Sequence, residues 1–272
     1  MTFSMELHDP AELGISSARL ADAAALLDRQ FAAGLTPTAV ALVARHGKLV
    51  WTHAVGDARP DGPPVTIDSV FPIASLGKPM TAAVVMALVE RGMIGLCESA
   101  SLTLPELADD HADVLVHHLL THTSGWHDDD HVAAREAKLA EAIATIPDGT
   151  DPLTHIMLWP GWGVSRRRGV GEINQYCNFN YSLLGEIVRR VTGGTLDAAM
   201  RRYLFEPLGM NSSAVIVGDD MRARLIERPA GIRIGPDHPG RPISTYDQWG
   251  EASDGGAWGG GGAGADCGGV GR

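Results

Sequence analysis

Lysine is scarce in this sequence: only Lys48, Lys78 and Lys138 occur in 272 residues, and the net charge is −11. A nucleic-acid surface needs a basic patch to meet the phosphates, so that class of partner is excluded. Cysteine is equally sparse, with Cys97, Cys177 and Cys267 odd in number and far apart. That count supports neither a disulfide framework nor a Cys-x-x-Cys metal knuckle, and reduced thiols are expected. No apolar run approaches the ~20 residues needed to cross a bilayer, so no membrane partner is expected. The first 14 residues carry Glu6, Asp9 and Glu12 where a signal peptide would have a basic start and an apolar core, which makes the expected location cytoplasmic. Two catalytic signatures are also missing. There is no Gly-x-Ser-x-Gly elbow, and Gly77-Lys78 lacks the upstream glycine and following Ser or Thr of a phosphate loop.

Hydrophobic residues make up 44% of the chain, enough for a substantial core in one large or two small domains. Ile15 to Gly34 carries apolar Leu20, Ala24, Leu27 and Phe31 at three- and four-residue steps behind a Ser16 or Ser17 cap, which predicts an amphipathic helix ended by Gly34. Ala39 to Ala44 and Leu49 to Val55 are β-rich runs joined by Arg45-His46-Gly47-Lys48, the pattern of a hairpin. A Pro- and Gly-rich loop from Gly56 to Ser69 leads to a second helix rich in Ala82, Val84, Val85, Met86, Leu88 and Val89. Further helices are predicted over His131 to Thr145 and from Asn180 to Gly193, with a long irregular stretch between Pro147 and Glu172. Ten of the last 18 residues are glycine, which neither helix nor strand tolerates well.

The second helix opens on Ser75-Leu76-Gly77-Lys78. Residues at i and i+3 share a helix face, so this hydroxyl and amine can share a proton. With fourteen serines and three lysines, roughly 0.15 such pairs are expected by chance, so the spacing carries information. Ser75 would lie at the helix N-terminus, where free N–H groups favour developing negative charge. Tyr176-Cys177-Asn178 stands directly before the Asn180 helix; taken alone it reads as a buried tyrosine with an Asx cap. Beside a lysine, whose charge favours the phenolate, a tyrosine can instead take a proton from serine with no histidine involved. His127-Asp128-Asp129-Asp130-His131 suggests a metal site, but three consecutive aspartates cannot all face one ion; an exposed acidic loop at a helix N-terminus is expected, with no metal and no cofactor. Arg166 to Arg168 reads as a solvated loop.

Four landmarks in order resemble the serine β-lactamase-related superfamily, class C branch, which holds D-alanyl-D-alanine carboxypeptidases, class C β-lactamases and family VIII carboxylesterases. They are Ser75-Leu76-Gly77-Lys78, His118 to Gly125, Tyr176 to Gly185, and Phe205-Glu206-Pro207-Leu208-Gly209-Met210. The resemblance implies a mixed α/β fold of the β-lactamase/transpeptidase type, an antiparallel sheet flanked by helices plus a mostly helical lobe. It divides one catalytic unit into an N-terminal helix and hairpin (1–74), a helical lobe carrying the motifs (75–215) and an irregular tail (216–272). It also implies that Ser75 is the acylated nucleophile, that Lys78 holds the proton network, that Tyr176 is general base and then acid, and that Asn178 binds the substrate carbonyl region and fixes Lys78. The Ser75 N–H would be half of an oxyanion hole, and the stretch around His122 and Ser124 would be scaffold beneath the site.

The family's third motif, on a late strand that supplies the other oxyanion N–H, has one candidate here, Trp258-Gly259-Gly260. The late sheet strands are not apparent after Gly255, as in a truncated or frame-shifted coding sequence. The expected function is that of a serine hydrolase acting on a small ester, most simply a carboxylesterase. The alternatives are a β-lactamase or D-alanyl-D-alanine carboxypeptidase acting on an amide, and a catalytically inactive relic or binding protein.

Overall fold

The computed structural model describes residues 4–59, 61–148 and 152–226. They fall into two units, 4–72 with 218–226, and 73–217. The glycine-rich stretch, Trp258-Gly259-Gly260 and the expected loss of late strands lie outside the described residues.

In the first unit, β1 (Ser4–Leu7) precedes helix α1 (Ser17–Ala32), then strands β2 (Thr38–Arg45) and β3 (Lys48–Gly56). Helix α1 starts where Ser16 accepts a hydrogen bond from the Arg19 N–H, and it packs against β3. The hairpin closes through His46 and Gly47, both at positive φ (53° and 76°), the twist that a two-residue turn between right-twisted strands requires. Strands β2 and β3 pair antiparallel from Thr38↔Gly56 to Arg45↔Lys48, with an irregularity between Val43 and Ala44. Strand β1, which the sequence pattern left unassigned, joins the other side of β3 in parallel, giving a small mixed sheet in the order β1-β3-β2. Leu225 and Ile226 return beside Val70, and a small cluster of Ala58, Val65 and Ile226 is buried there.

The second unit is helical. Helix α2 (Gly77–Glu90) buries Val84, Val85 and Leu88 against Leu183, Leu184, Ile187 and Val188 of a later helix. Each such side chain withdrawn from water contributes about 1.5–3 kcal/mol, so this apolar contact is the main force holding the unit together. Between them lie α3 (Val116–Leu120), α4 (Asp128–Ala144) and α5 (Pro152–Leu158). Helix α5 and the turn Pro160–Trp162 occupy part of the stretch expected to be irregular. Helix α6 (Asn178–Thr192) begins after the extended Cys177 and stops at Gly193, whose φ of 69° suits a residue without Cβ. Thr195 caps α7 (Leu196–Met200) by accepting from the Ala198 N–H.

Candidate active site

Residues 73–217 carry all four sequence-predicted site residues, and the structure brings them together. A 3-10 turn at Ala74–Leu76 runs into α2, putting Ser75 exposed at the surface and Lys78, one turn on, inside the helical core. Lys78 is only 4% exposed. Its Nζ donates to Ser75 Oγ at 3.2 Å and to Asn178 Oδ1 at 2.7 Å. The hydroxyls of Ser75 and Tyr176 are 2.8 Å apart, within reach of direct proton transfer. The same ammonium lies 4.7 Å from the centre of the Tyr176 ring and 5.9 Å from that of Tyr181, so aromatic faces supply part of its solvation. Tyr176 itself is 45% exposed, open to a substrate that reaches Ser75.

The backbone beneath is locally strained. Ala74, directly before Ser75, has φ 45°, and His122 has φ 56°; such conformations cost of order 1–3 kcal/mol for residues carrying a Cβ, and they gather at functional sites. The segment around His122 acts as a seat for the Tyr176 loop. His122 Nδ1 accepts from the Cys177 N–H at 3.2 Å, its carbonyl accepts from the Gln175 N–H at 2.8 Å, and its ring lies 4.6 Å from that of Tyr176. Burial, helped by the charge of Lys78, pushes the His122 pKa down, consistent with a neutral ring whose Nδ1 lone pair accepts. Gly125 lets the following chain close in: at its φ of 89° a Cβ would stand 2.1 Å from the Arg168 carbonyl oxygen. Ser124, buried, donates to Asn180 Oδ1 at 2.7 Å and ties the same segment to the first turn of α6.

Sequence reasoning missed Asp128. The acidic run was expected to be an exposed loop at a helix N-terminus; it does open α4, but Asp128, the first residue of that helix, is only partly exposed. Its carboxylate accepts from the Asn178 N–H and from Asn178 Nδ2, both at 2.6 Å. Its neighbours behave differently: Asp129 has a side chain 79% exposed, and Asp130 forms a two-pronged ion pair with Arg167, which stays exposed in its loop as expected. Among the described residues no cluster of three or more His, Cys, Asp or Glu could hold a metal. Burial and the Asp128 charge push the Cys177 thiol up to about 12, so it is not a thiolate nucleophile at neutral pH.

Comparison with known proteins assigns the chain to a family. The chain is similar to esterase EstB of Burkholderia gladioli, 32% identical over 263 residues that span 86% of this chain and 59% of that protein. It is 31% identical to penicillin-binding protein 4 of Amycolatopsis lactamdurans over 194 residues, 68% of this chain and 46% of that one. The chain therefore spans about half of the length of these curated relatives. A solved class C beta lactamase superposes with a TM-score of 0.64 over 83% of this chain and 59% of its own, at 23% identity, which shows a shared fold of the β-lactamase/transpeptidase type. The family model described as Beta-lactamase matches residues 24–266, nearly the whole sequence, and the chain belongs to that family.

Proposed function

We propose that this protein is a serine hydrolase that cleaves a small ester through an acyl-enzyme on Ser75. The observation that carries the reading is the triangle of an exposed serine hydroxyl, a tyrosine hydroxyl at 2.8 Å and a buried lysine ammonium at 3.2 Å. Once ionised to the phenolate beside the Lys78 ammonium, Tyr176 takes the Ser75 proton as Oγ bonds to the ester carbonyl carbon. The oxyanion that forms lies near the Ser75 N–H at the start of the helical turn, and the positive charge of Lys78 offsets the negative charge passing through the site. Tyr176 then returns the proton to the departing alkoxide as its bond to the carbonyl carbon breaks, leaving the acyl-enzyme. Water, deprotonated by the same tyrosine, attacks the acyl carbon; the bond from that carbon to Ser75 Oγ breaks, Tyr176 returns the proton to Oγ, and the carboxylic acid leaves.

Two relatives support an ester substrate by name, esterase EstB and the lovastatin esterase of Penicillium rubens, 28% identical over 231 residues. The likeness to a penicillin-binding protein favours a second reading, acylation by a β-lactam or a D-alanyl peptide. Parallel turnover of p-nitrophenyl butyrate and nitrocefin separates the two. Labelling by a fluorophosphonate is expected in the native chain and lost in Ser75→Ala; labelling that survives the substitution rules out Ser75. Tyr176→Phe is expected to slow acylation by about 10²–10⁴-fold, the range of a lost general base.

A further inference from the structure

Asn178 stands between two charged groups of opposite hydrogen-bonding capacity. On one side a carboxylate, Asp128, can only accept; on the other an ammonium, Lys78, can only donate. The observed amide satisfies both, with Nδ2 on Asp128 Oδ2 and Oδ1 on Lys78 Nζ. Turned over, it would set NH₂ against NH₃⁺ and oxygen against carboxylate, so only one orientation is favourable. Asp128 further holds the Asn178 backbone through its other oxygen. With Asn178 Oδ1 fixed, one ammonium proton of Lys78 has a fixed acceptor and another is directed at Ser75 Oγ.

We propose that Asp128 is a positioning residue for the reaction at Ser75: its carboxylate locks the amide of Asn178, which in turn holds Lys78 against the serine hydroxyl. The proposal rests on the serine-hydrolase reading above. It also changes the part played by Asn178, because one of the two Nδ2 hydrogens expected to serve the substrate is committed to Asp128. The competing role for Asp128 is a favourable charge at the start of α4, and the acidic run supplies its own control. Asp129 sits in the same first turn with its side chain 79% exposed beside His127, so Asp129→Asn removes the same helix-end charge. Asp128→Asn keeps the shape, but with its oxygen on the Asn178 N–H its NH₂ faces the Asn178 amide and favours the turned-over orientation.

The test measures the fluorophosphonate labelling rate, the melting temperature and the Asn178 side-chain amide NMR cross-peak in the native chain, Ser75→Ala, Asp128→Asn, Asp128→Glu and Asp129→Asn. The cross-peak is identified by its loss in Asn178→Ser. Displacing a reacting group by about 1 Å can cost on the order of 100-fold, so Asp128→Asn is expected to label at least ~10-fold more slowly and to move the cross-peak. Asp129→Asn is expected to label within about twofold of native and leave the peak in place, while losing the same helix-end charge. Asp128→Glu keeps the acceptor-only carboxylate and is expected to label faster than Asp128→Asn. Equal rates for Asp128→Asn and Asp129→Asn, or for the Asn and Glu variants, overturn the proposal. If labelling survives Ser75→Ala, the hydrolase reading fails instead, and the cross-peak decides the lock: a shift confined to the Asp128 variants upholds it, and an unmoved peak removes it.

Discussion

Two buried charges in the helical unit meet different fates. Glu186, on α6, has no exposed surface and is saturated: Arg189 binds both of its oxygens at 2.7 Å, Arg190 adds a bond at 2.6 Å, and Thr154 donates from the far side. Arg190 continues outward to Glu106 in a second two-pronged pair. Lys78, 4% exposed, meets instead a serine hydroxyl, an amide oxygen and aromatic faces, all uncharged. Its nearest carboxylate in this chain of contacts, Asp128, lies one amide away. A saturated network fixes a structure; a buried charge left with neutral partners is costly to keep and available to chemistry.

The largest effect expected from breaking the open network is on rate. Lys78→Met should lower acylation by about 10³-fold or more, in the range of a lost proton-handling group, while stability stays level or rises because a poorly compensated buried charge is gone. A Lys78→Met chain that melts far below native would mean that the ammonium supports the fold, and the contrast would fail. Glu186→Gln should do the reverse. Replacing the buried carboxylate by a neutral amide weakens the hold on Arg189 and on Arg190, which keeps its pair with Glu106, and is expected to cost up to about 3–5 kcal/mol, read as a lower urea midpoint at unchanged slope, with the labelling rate of the folded protein close to native. A loss below about 1 kcal/mol would show that water reaches the network and screens it.

The two networks were unequally legible in the sequence. Ser75 and Lys78 could be found because their spacing lies within one turn, and Tyr176 and Asn178 because family likeness linked them across a hundred residues. The helices α1, α2 and α6 and the hairpin were legible for a local reason, their apolar periodicity and the His46-Gly47 turn. Asp128 was not, because its acceptor role is set by Asn178, fifty residues later, and three adjacent aspartates look alike until the chain has folded. Glu186 was overlooked inside the apolar face formed by Leu183, Leu184, Ile187 and Val188, although arginines at i+3 and i+4 are the local signal of an intrahelical pair. Helix α5 is seven residues long and starts at a proline, too short for periodicity to speak.

Acid should separate the networks by a smaller margin. Burial pushes the pKa of His122, His118 and His111 down, and that of His131 down to about 4. Each ring is harder to protonate in the fold than in the unfolded chain, so its contribution is complete above the ordinary value near 6.5 and is lost as pH falls through its lowered folded value, which is about 4 for His131. His122 sits under Tyr176, and protonating its Nδ1 removes the acceptor of the Cys177 N–H. Labelling rate is therefore expected to fall as the pH drops below 6.5, before the circular dichroism of the helices changes. Coincident loss of both signals would place the acid-sensitive step in the fold as a whole.

The smallest effect supplies the baseline against which Glu186 is judged. Thr195 caps α7 through a single uncharged bond to the Ala198 N–H at 3.0 Å, only a few residues beyond the Glu186 network on the same core. Thr195→Ala should cost about 1 kcal/mol, the usual value of an N-cap, and leave labelling unchanged. If the unit were marginal throughout, any lesion near α6 would unfold it, and Thr195→Ala would match Glu186→Gln. A three- to five-fold gap between the two losses, measured at the same slope, assigns the excess to the ion pairs lost at Glu186, which is what distinguishes a saturated network from ordinary packing around it.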